Sequence, residues 1–274
     1  VGGMTGAMKR SIDLHLHSTF SDGTKSVEEL AALLRENKVE VASLTDHDTV
    51  AGVKGFLEAV RAAGIRGIPG IELTARFPVV LHILGYCIQG DSEELSEALL
   101  KIAHARERRN RSLIERLCKS GCSITMEEVE REAGSDLITR PHFARVLVKR
   151  GYARDGEAAF RRYLADSEST SFSPFSPWEC VRLILRCGGY PVLAHPQQTR
   201  RRYRAFEETL STLAEAGLWG IEVYAPDIPV NQVFYYLKLA GRYGLAITGG
   251  TDFHGDGRLR GGPGIAVDAE LVDI

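Results

Sequence analysis

The sequence lacks any apolar run of about 20 residues, the length that a membrane-spanning helix needs. Its first eight residues are Gly-rich and have no hydrophobic stretch, so we predict no signal peptide. Cysteine is scarce and odd in number, with five residues and no C-x-x-C pair. That pattern disfavours a disulfide framework and favours free thiols in a reducing compartment. We therefore expect a cytoplasmic protein with no membrane association.

The sequence also has no excess of basic charge, since its formal net charge is −2. A protein that only coats nucleic acid is usually basic, so the net charge disfavours this class of protein. It does not exclude a local basic binding site. The chain has 274 residues, of which 44% are hydrophobic. Those values suit a barrel-sized α/β domain, or a smaller barrel with an insertion.

Short apolar segments, each followed by a helical pattern, recur along much of the chain. This alternation predicts a parallel α/β barrel or a doubly wound sheet, with strands that are covered on both faces. The predicted strands are Ile12–Leu16, Val41–Leu44, Gly67–Glu72, Val80–Tyr86, Tyr190–Ala194, Gly220–Tyr224 and Leu245–Thr248. The predicted helices are Val27–Asn37, Val53–Ala63, Pro177–Cys187, Phe206–Ala216 and Asn231–Tyr243.

The middle of the chain breaks this rhythm. From about residue 92 to residue 175 we find no clear strand, but several amphipathic helical patterns, of which Ser96–Lys119 is the longest. We therefore divide the chain into a first barrel part at 11–91, a helical insertion domain at 92–175 and a second barrel part at 176–274.

Histidines and carboxylates gather at the predicted strand ends. His15 and His17 are two apart on a strand, so their imidazoles share one face. In α/β barrels the active site lies at the carboxyl ends of the strands. Any one of these residues alone is better explained as a core histidine or a helix cap, but nine together predict a metal site. The candidate ligands are His15, His17, Asp22, His47, Glu72, His82, His195, Asp252 and His254.

The ligand types narrow the choice of metal. Nitrogen and carboxylate donors without thiolate favour Mn²⁺, Zn²⁺ or Fe²⁺ over Ca²⁺ or Mg²⁺, which prefer oxygen. Nine ligands exceed the needs of one ion, so we expect two or three divalent ions, with Glu72 as a bridging carboxylate.

The motifs in this order resemble the PHP (polymerase and histidinol phosphatase) family. They are His-x-His at 15–17, Asp-Gly at 22–23, Thr-Asp-His-Asp at 45–48, Gly-Ile-Glu at 70–72, Ala-His-Pro at 194–196 and Thr-Asp-Phe-His at 251–254. The resemblance covers roughly 11–90 and 188–274. It implies a distorted (β/α)7 barrel of the PHP type, carrying the helical insertion, and divalent metal ions, with Mn²⁺ as the first choice.

The resemblance also implies how the ligands are shared. His15, His17, Glu72 and Asp252 would hold one ion, Asp22, His47 and His254 a second, and Glu72, His82 and His195 a third. His195 and Asp252 would also be catalytic. His82 is the least regular match, because it lies inside an apolar run.

Within the family, the chain looks like the stand-alone nucleotide phosphoesterases. These include 3′,5′-nucleotide bisphosphate phosphatases and a 5′-to-3′ exoribonuclease that acts on short RNA. Asp22 supports this branch, because histidinol-phosphatase-like relatives often have His at that position. The segment Thr139–Phe143 in the insertion also resembles this branch.

Several residues are candidates for substrate binding. Arg140 would bind phosphate, and His142 would bind phosphate or donate a proton to the leaving oxygen; the alternative is a helix cap with a surface charge. In the basic run that follows His195, Arg202 is a candidate anion clamp, against the alternative of a solvated face. The mixed-charge run Arg106–Arg111 is interpreted as a solvated face.

Other polar residues near the predicted ligands receive supporting or surface roles. Asp46 and Asp48 are expected to orient His47 or to cap a helix, and Glu222 to support the ligands from behind. His104 is expected on the surface.

The predicted activity is hydrolysis of nucleotide phosphates, either 3′,5′-bisphosphates or the 5′ ends of short RNA, with no obligate protein partner. Two alternatives stay open. One is a histidinol-phosphatase-like phosphomonoesterase, whose cationic substrate calls for a spare carboxylate and fewer arginines. The other is a non-catalytic metal- or nucleic-acid-binding module.

Overall fold

The computed structural model describes residues 9–164, 172–202, 205–255 and 262–268. The strands of the described part form one sheet in the order β7-β6-β5-β4-β3-β2-β1-β8. They are β1 (Lys9–Leu16), β2 (Val41–Leu44), β3 (Arg66–Thr74), β4 (His82–Tyr86), β5 (Tyr190–Leu193), β6 (Gly220–Tyr224), β7 (Ala246–Gly249) and β8 (Ile265–Asp268).

The sheet curls into a nearly closed barrel. The strands β1, β2 and β3 pair in parallel, as do β5, β6 and β7. The segment after β7 returns to β1, where the backbone N–H of Thr251 donates to Asp13 Oδ1 at 2.9 Å and Leu16 forms a parallel bridge with Phe253. This mixed α/β barrel confirms the predicted fold class.

Two strands are antiparallel to their neighbours, although the sequence analysis predicted a parallel barrel or sheet. β4 is antiparallel to both β3 and β5, and β8, which the sequence analysis missed, is antiparallel to β1. Only residues 75–81 connect β3 to β4, which is too short for the crossover that parallel neighbours need. As a result, β4 brings its amino end, and therefore His82, to the barrel end where the parallel strands finish.

A register shift in β1 decides where its histidines point. Ile12 and Leu14 pack in the barrel interior, whereas Leu16 packs against the surrounding helices. Side chains alternate along a regular strand, so the irregularity between Asp13 and Leu16 must change which side is occupied. Because of this shift, the imidazoles of His15 and His17 also point into the barrel, next to the apolar side chains of Ile12 and Leu14.

Helices cover the outside of the barrel close to their predicted positions, except for one short helix after His195 that the sequence analysis did not predict. A capping box formed by Ser26 and Glu29 begins the first of them. They are α1 (Val27–Glu36), α2 (Val53–Ala62), α7 (Pro177–Arg186), α8 (Pro196–Arg202), α9 (Phe206–Glu215) and α10 (Val230–Tyr243).

The helical segment between β4 and α7 contains helices and no strand among its described residues. These are α3 (Glu93–Lys119), α4 (Met126–Ala133), α5 (Arg140–Lys149) and α6 (Gly156–Ala159), which runs into a π-helical turn at Phe160–Leu164. They share a separate apolar cluster that includes Leu113, Phe143 and Leu147. The division of the chain into domains stays a prediction. Among the described helices, none has the length and apolar content that a membrane crossing requires.

Gly250 allows the close approach of the last parallel strand to β1. A Cβ atom at Gly250 would lie 2.5 Å from His15 Cβ and 2.6 Å from the His15 backbone nitrogen. We predict that Gly250→Ala lowers the free energy of unfolding by about 1–3 kcal/mol, the usual cost of overpacking. Urea denaturation followed by circular dichroism measures the change.

Gly241 provides the matched control, because a Cβ there meets nothing within 4 Å and the residue lies inside α10. Gly241→Ala should raise stability by about 0.5–1 kcal/mol through helix propensity. Equal effects of the two substitutions would contradict the packing argument.

Candidate metal centre

The buried carboxylate of Glu72 lies at the centre of the site. Its residue is 0% exposed, and its two oxygens face imidazoles from four different strands or strand-end loops. Five imidazole nitrogens lie 2.8–3.4 Å from a Glu72 oxygen; they belong to His15, His17, His47, His82 and His195.

The first predicted ligand set forms a regular group. His15 Nε2 lies 3.4 Å from both Glu72 Oε2 and Asp252 Oδ1, and His17 Nε2 lies 3.3 Å and 3.2 Å from the same two oxygens. A tetrahedron whose ligands are about 2.0–2.1 Å from its centre has edges of about 3.3–3.4 Å. These four donors therefore have the spacing that one divalent ion needs.

The second set gathers around Asp22. Asp22 Oδ1 lies 3.2 Å from His254 Nε2, 3.9 Å from His47 Nε2 and 4.0 Å from His17 Nδ1. The structure thus brings together the three predicted ligands and adds the second nitrogen of His17 beside them.

The third set is the tightest. His82 Nδ1 lies 2.8 Å from Glu72 Oε1 and 3.1 Å from His195 Nε2, which is itself 3.0 Å from the same Glu72 oxygen. His82 reaches this place because β4 is antiparallel, which accounts for a ligand position at the start of a strand.

Several side-chain atoms of these sets are buried without a hydrogen-bond partner. Within the described residues they include His15 Nε2, both ring nitrogens of His17, Asp22 Oδ1 and Glu72 Oε2. Buried polar atoms are almost always hydrogen-bonded, and a cluster of exceptions needs an explanation such as an ion. The donor set and its spacing fit divalent metal ions.

The charges of the cluster are strongly coupled. Burial disfavours the charged form of His17, but the carboxylates of Asp252 and Glu72 outweigh it and raise the pKa of His17 to about 10. Burial lowers the pKa of His82 to about 4, although Glu72 lies beside it. Burial alone would raise the pKa of Glu72, yet the nearby imidazoles of His47 and His82 hold it well below its usual value.

A second layer of carboxylates positions the ligands. Glu222 Oε1 lies 3.0 Å from His15 Nδ1, while its Oε2 accepts from the backbone N–H of His195 at 2.7 Å. This contact places Glu222 behind the ligands, where the sequence analysis put it. His195 has a φ of +28°, a sparsely populated conformation that this hydrogen bond helps to hold.

Asp13 is a supporting residue that the sequence analysis missed. Its carboxylate accepts from the backbone N–H and the hydroxyl of Thr251, at 2.9 Å and 2.6 Å, and from the N–H of Gly264 at 2.8 Å. Burial raises its pKa to about 6. The available signal was its place in β1 two residues before His15, with its side chain on the same side in a regular strand.

Asp46 and Asp48 support the site in another way than expected. Asp46 accepts from the backbone N–H and the hydroxyl of Ser18, at 2.8 Å and 2.6 Å. Asp48 accepts from the N–H and hydroxyl of Thr74, at 2.8 Å and 2.7 Å, and also pairs with Arg106. They hold neighbouring segments together, and neither accepts a hydrogen bond from His47 among the described contacts.

The metal-ligand sets open into a cleft of about 880 Å³ between the barrel and the helical segment. Arg140 lines this cleft, and its role in substrate binding stays a prediction. His142 is only 1% exposed, and its Nδ1 accepts from the N–H of Thr139 at 3.0 Å, so its imidazole caps α5. His142 is not among the residues that line the cleft, so its catalytic and substrate roles stay predictions without geometric support. Arg202 belongs to α8, but its side chain lies outside the described part of the chain.

The interpretation of Arg106–Arg111 as a solvated face is wrong for half of the run. Arg106 and Arg109 are 6% and 9% exposed and line the cleft, whereas Arg108 and Arg111 are exposed. The buried positions continue the helical stripe of α3 from Ile102, at spacings of three and four residues. This helical spacing could have predicted that Arg106 and Arg109 are buried, but the mixed charges of the run were given more importance. His104 is exposed, as expected.

Comparison with characterised proteins supports this picture. The chain is 31% identical to a 3′,5′-nucleoside bisphosphate phosphatase of Chromobacterium violaceum, over 96% of this chain and 93% of that protein. It is 29% identical to a phosphoribosyl 1,2-cyclic phosphate 1,2-diphosphodiesterase of Eggerthella lenta, over 89% and 94%. It is 30% identical to a 5′-3′ exoribonuclease of Escherichia coli, over 88% and 84%.

Two solved structures share the fold. One is an amidohydrolase from Chromobacterium violaceum, solved with sulfate and no metal, with a TM-score of 0.81 and 30% identity, covering 90% of this chain and 88% of that one. The other, from Bifidobacterium adolescentis and assigned to the metal-dependent phosphoesterases, has a TM-score of 0.82 and 31% identity, covering 95% and 91%.

Fold and site together define a metal-dependent phosphoesterase. The PHP domain family model matches residues 13–164, more than half of the chain and well into the helical segment. The chain belongs to the PHP family.

Metal binding to this cluster should release protons. In the metal-free protein the pKa of His17 is about 10, so its imidazole carries a proton near neutral pH, and the carboxylate of Glu72 raises the pKa of His195 against the effect of burial. A metal ion binds only the neutral imidazole and must displace such a proton. Calorimetric titration with Mn²⁺ in two buffers of different protonation enthalpy should give different apparent heats, with the sign of proton release.

Identical heats in the two buffers would contradict this account of the charges. Asp252→Asn is the matched variant, because it removes a carboxylate that raises the pKa of both His17 and His195. It should reduce the number of protons released.

Proposed function

We propose that this metal-dependent phosphoesterase hydrolyses nucleotide phosphates, namely 3′,5′-nucleotide bisphosphates or the 5′ ends of short RNA. The observation that carries the proposal is one shared cleft. Its floor is the His/Asp/Glu cluster, and its walls contribute four arginines, Arg106, Arg109, Arg140 and Arg161. Arginine binds phosphate oxygens through its planar fork of donors, so such a cleft favours a substrate with more than one phosphate or an RNA backbone.

A cationic substrate such as histidinol phosphate is less well served. The cleft does contain the carboxylates of Glu157 and Asp227. Glu157 pairs with Arg161 at 3.4 Å, and Asp227 accepts two hydrogen bonds from Gln197 Nε2 at 2.9 Å and 3.0 Å. Both carboxylates thus have partners already, and the arginines outnumber them.

The proposed metal ligands are the nine residues predicted from the sequence, and Mn²⁺ is the proposed ion. Nitrogen and carboxylate donors without thiolate suit Mn²⁺ as well as Zn²⁺ or Fe²⁺. When bound, divalent ions would supply Lewis acidity, which acidifies an attacking water and offsets the charge on the phosphoryl oxygens.

The chain's own residues prepare this chemistry. Asp252 combines donor contacts inside the cluster with a side chain that is 29% exposed to the cleft, so it lies between the buried ligands and an incoming phosphate. His195 also lines the cleft, and Glu222 fixes its backbone. We assign His195 and Asp252 to the reacting phosphate and Arg140 to a phosphate that is not cleaved.

Substrate preference tests the proposal directly. The Mn²⁺-loaded protein should hydrolyse adenosine 3′,5′-bisphosphate or short 5′-phosphorylated RNA with a kcat/KM at least about tenfold above that for histidinol phosphate, a difference of about 1.4 kcal/mol. Phosphate release measures the first and third substrates, and gel analysis measures the RNA. The 1,2-cyclic phosphate of ribose belongs in the panel because of the Eggerthella lenta relative.

Asp252→Asn keeps the size of the side chain but removes a charged ligand, so it should abolish turnover. Loss of turnover in this variant would show that the activity belongs to this site. Turnover of none of these substrates under Mn²⁺ would sink the proposal. A clear preference for histidinol phosphate or the cyclic diester would replace it.

A further inference from the structure

Arg109 is an unusual member of the cleft wall. It lies on α3, is only 9% exposed, and shares the cleft with Asp22, His82 and His254 from the metal-ligand sets. A long cationic side chain is rarely buried this far unless it is paired. Its surroundings therefore need a specific explanation.

The two buried arginines of α3 differ in their partners. Arg106 pairs with the carboxylate of Asp48. In contrast, Nε and Nη1 of Arg109 are buried and find no hydrogen-bond acceptor among the residues that the structure describes. Both guanidinium groups lie over the ring of Phe172, with carbon-to-centroid distances of 4.7 Å and 4.8 Å. Stacking of this kind holds the plane of the guanidinium and leaves its N–H donors available at the edge.

The position is electrostatically costly. Burial is the main factor that moves the pKa of Arg109 well below its ordinary value, and the neighbouring charges of Arg106 and Arg140 add to it. A guanidinium keeps its proton in proteins, so this displacement expresses the free-energy cost of a buried cation to whose Nε and Nη1 the described residues offer no hydrogen-bond acceptor. An anion that enters the cleft would remove that cost.

We propose that Arg109, held flat by Phe172, binds the phosphate that is not cleaved and is the main determinant of selectivity for doubly phosphorylated nucleotides. This inference rests on the proposed function and names the group that recognises its substrate class. A cleft of about 880 Å³ is large enough for a nucleotide whose other phosphate lies at the metal-ligand sets. Arg106 is committed to Asp48 and therefore contributes mainly structure.

Selectivity measures the role of Arg109. The readout is the ratio of kcat/KM for adenosine 3′,5′-bisphosphate to kcat/KM for the 3′- and 5′-monophosphates. Arg109→Met keeps the length and packing of the side chain, and should lower this ratio about 10- to 100-fold, the value of a charge-assisted hydrogen bond. Arg109→Lys keeps the charge but not the fork, and should lie between wild type and Arg109→Met.

Arg108→Met is the matched control, because Arg108 is exposed on the same helix. It should leave the ratio unchanged. An unchanged ratio in Arg109→Met, with normal turnover of the bisphosphate, would overturn the inference and leave the proposed function intact.

Stability gives a second readout that needs no turnover. Arg109→Met removes a buried charge whose Nε and Nη1 have no acceptor among the described residues, so the melting temperature should not fall, whereas Arg106→Met leaves the Asp48 carboxylate without its cation and should lower it. Inorganic phosphate, added to metal-free protein at constant ionic strength, should raise the melting temperature of wild type and Arg108→Met more than that of Arg109→Met.

The two readouts separate the possible failures. If the wild type hydrolyses none of the nucleotides but its phosphate-induced stabilisation depends on Arg109, the anion site stands and the proposed function fails. An equal thermal shift in wild type and Arg109→Met would overturn the anion site.

Discussion

The rest of the molecule depends on the buried carboxylate of Glu72 and the imidazoles around it. Five histidines converge on a side chain that has no exposure to water. Such an arrangement costs free energy by itself, because buried polar atoms need hydrogen bonds and several atoms of this cluster make none among the described residues. Divalent cations would remove this cost, because each ion would coordinate the buried nitrogen and oxygen atoms and replace the protons that make neighbouring imidazoles repel one another. The fold places all of these side chains at one end of the barrel, because the parallel strands finish there and the antiparallel β4 begins there.

The helical segment is connected to the same end of the barrel by polar contacts. The hydroxyl of Thr139 donates to Asp22 at 3.3 Å, and Arg106 pairs with Asp48 in the loop after His47. These contacts join the wall of the cleft to the second metal-ligand set, through Asp22 itself and through the residue that follows His47. A substrate phosphate held by the wall would thereby be fixed in position relative to the ions, which is the main requirement of phosphoryl transfer. The same contacts would therefore affect both the rate and the substrate selectivity, and we expect a substitution in the cleft wall to change both.

Residue type and strand position were enough to predict that most of the candidate ligands lie close together, because the carboxyl ends of parallel strands meet in space; His82 is the exception, since it lies at the start of the antiparallel β4. They were not enough for β4, whose direction follows from a short connection, or for β8, which is only four residues long. Arg106 and Arg109 were missed because charge was weighed above helical period, although they continue the stripe of Ile102 and Leu113. The register shift in β1 could not be predicted, since it arises from pairing with β2 and not from any local sequence signal.

The central claim is that the Glu72 cluster binds several divalent ions, and metal content measures it most directly. Mass spectrometry of Mn²⁺-loaded protein after removal of free metal should give about two or three ions per chain, as in other clustered metal sites. Glu72→Gln keeps the shape of the side chain but halves its donor oxygens and removes the charge, so this variant should lose at least one ion. A wild type that retains no ion, or a Glu72→Gln variant with unchanged metal content, would contradict the account.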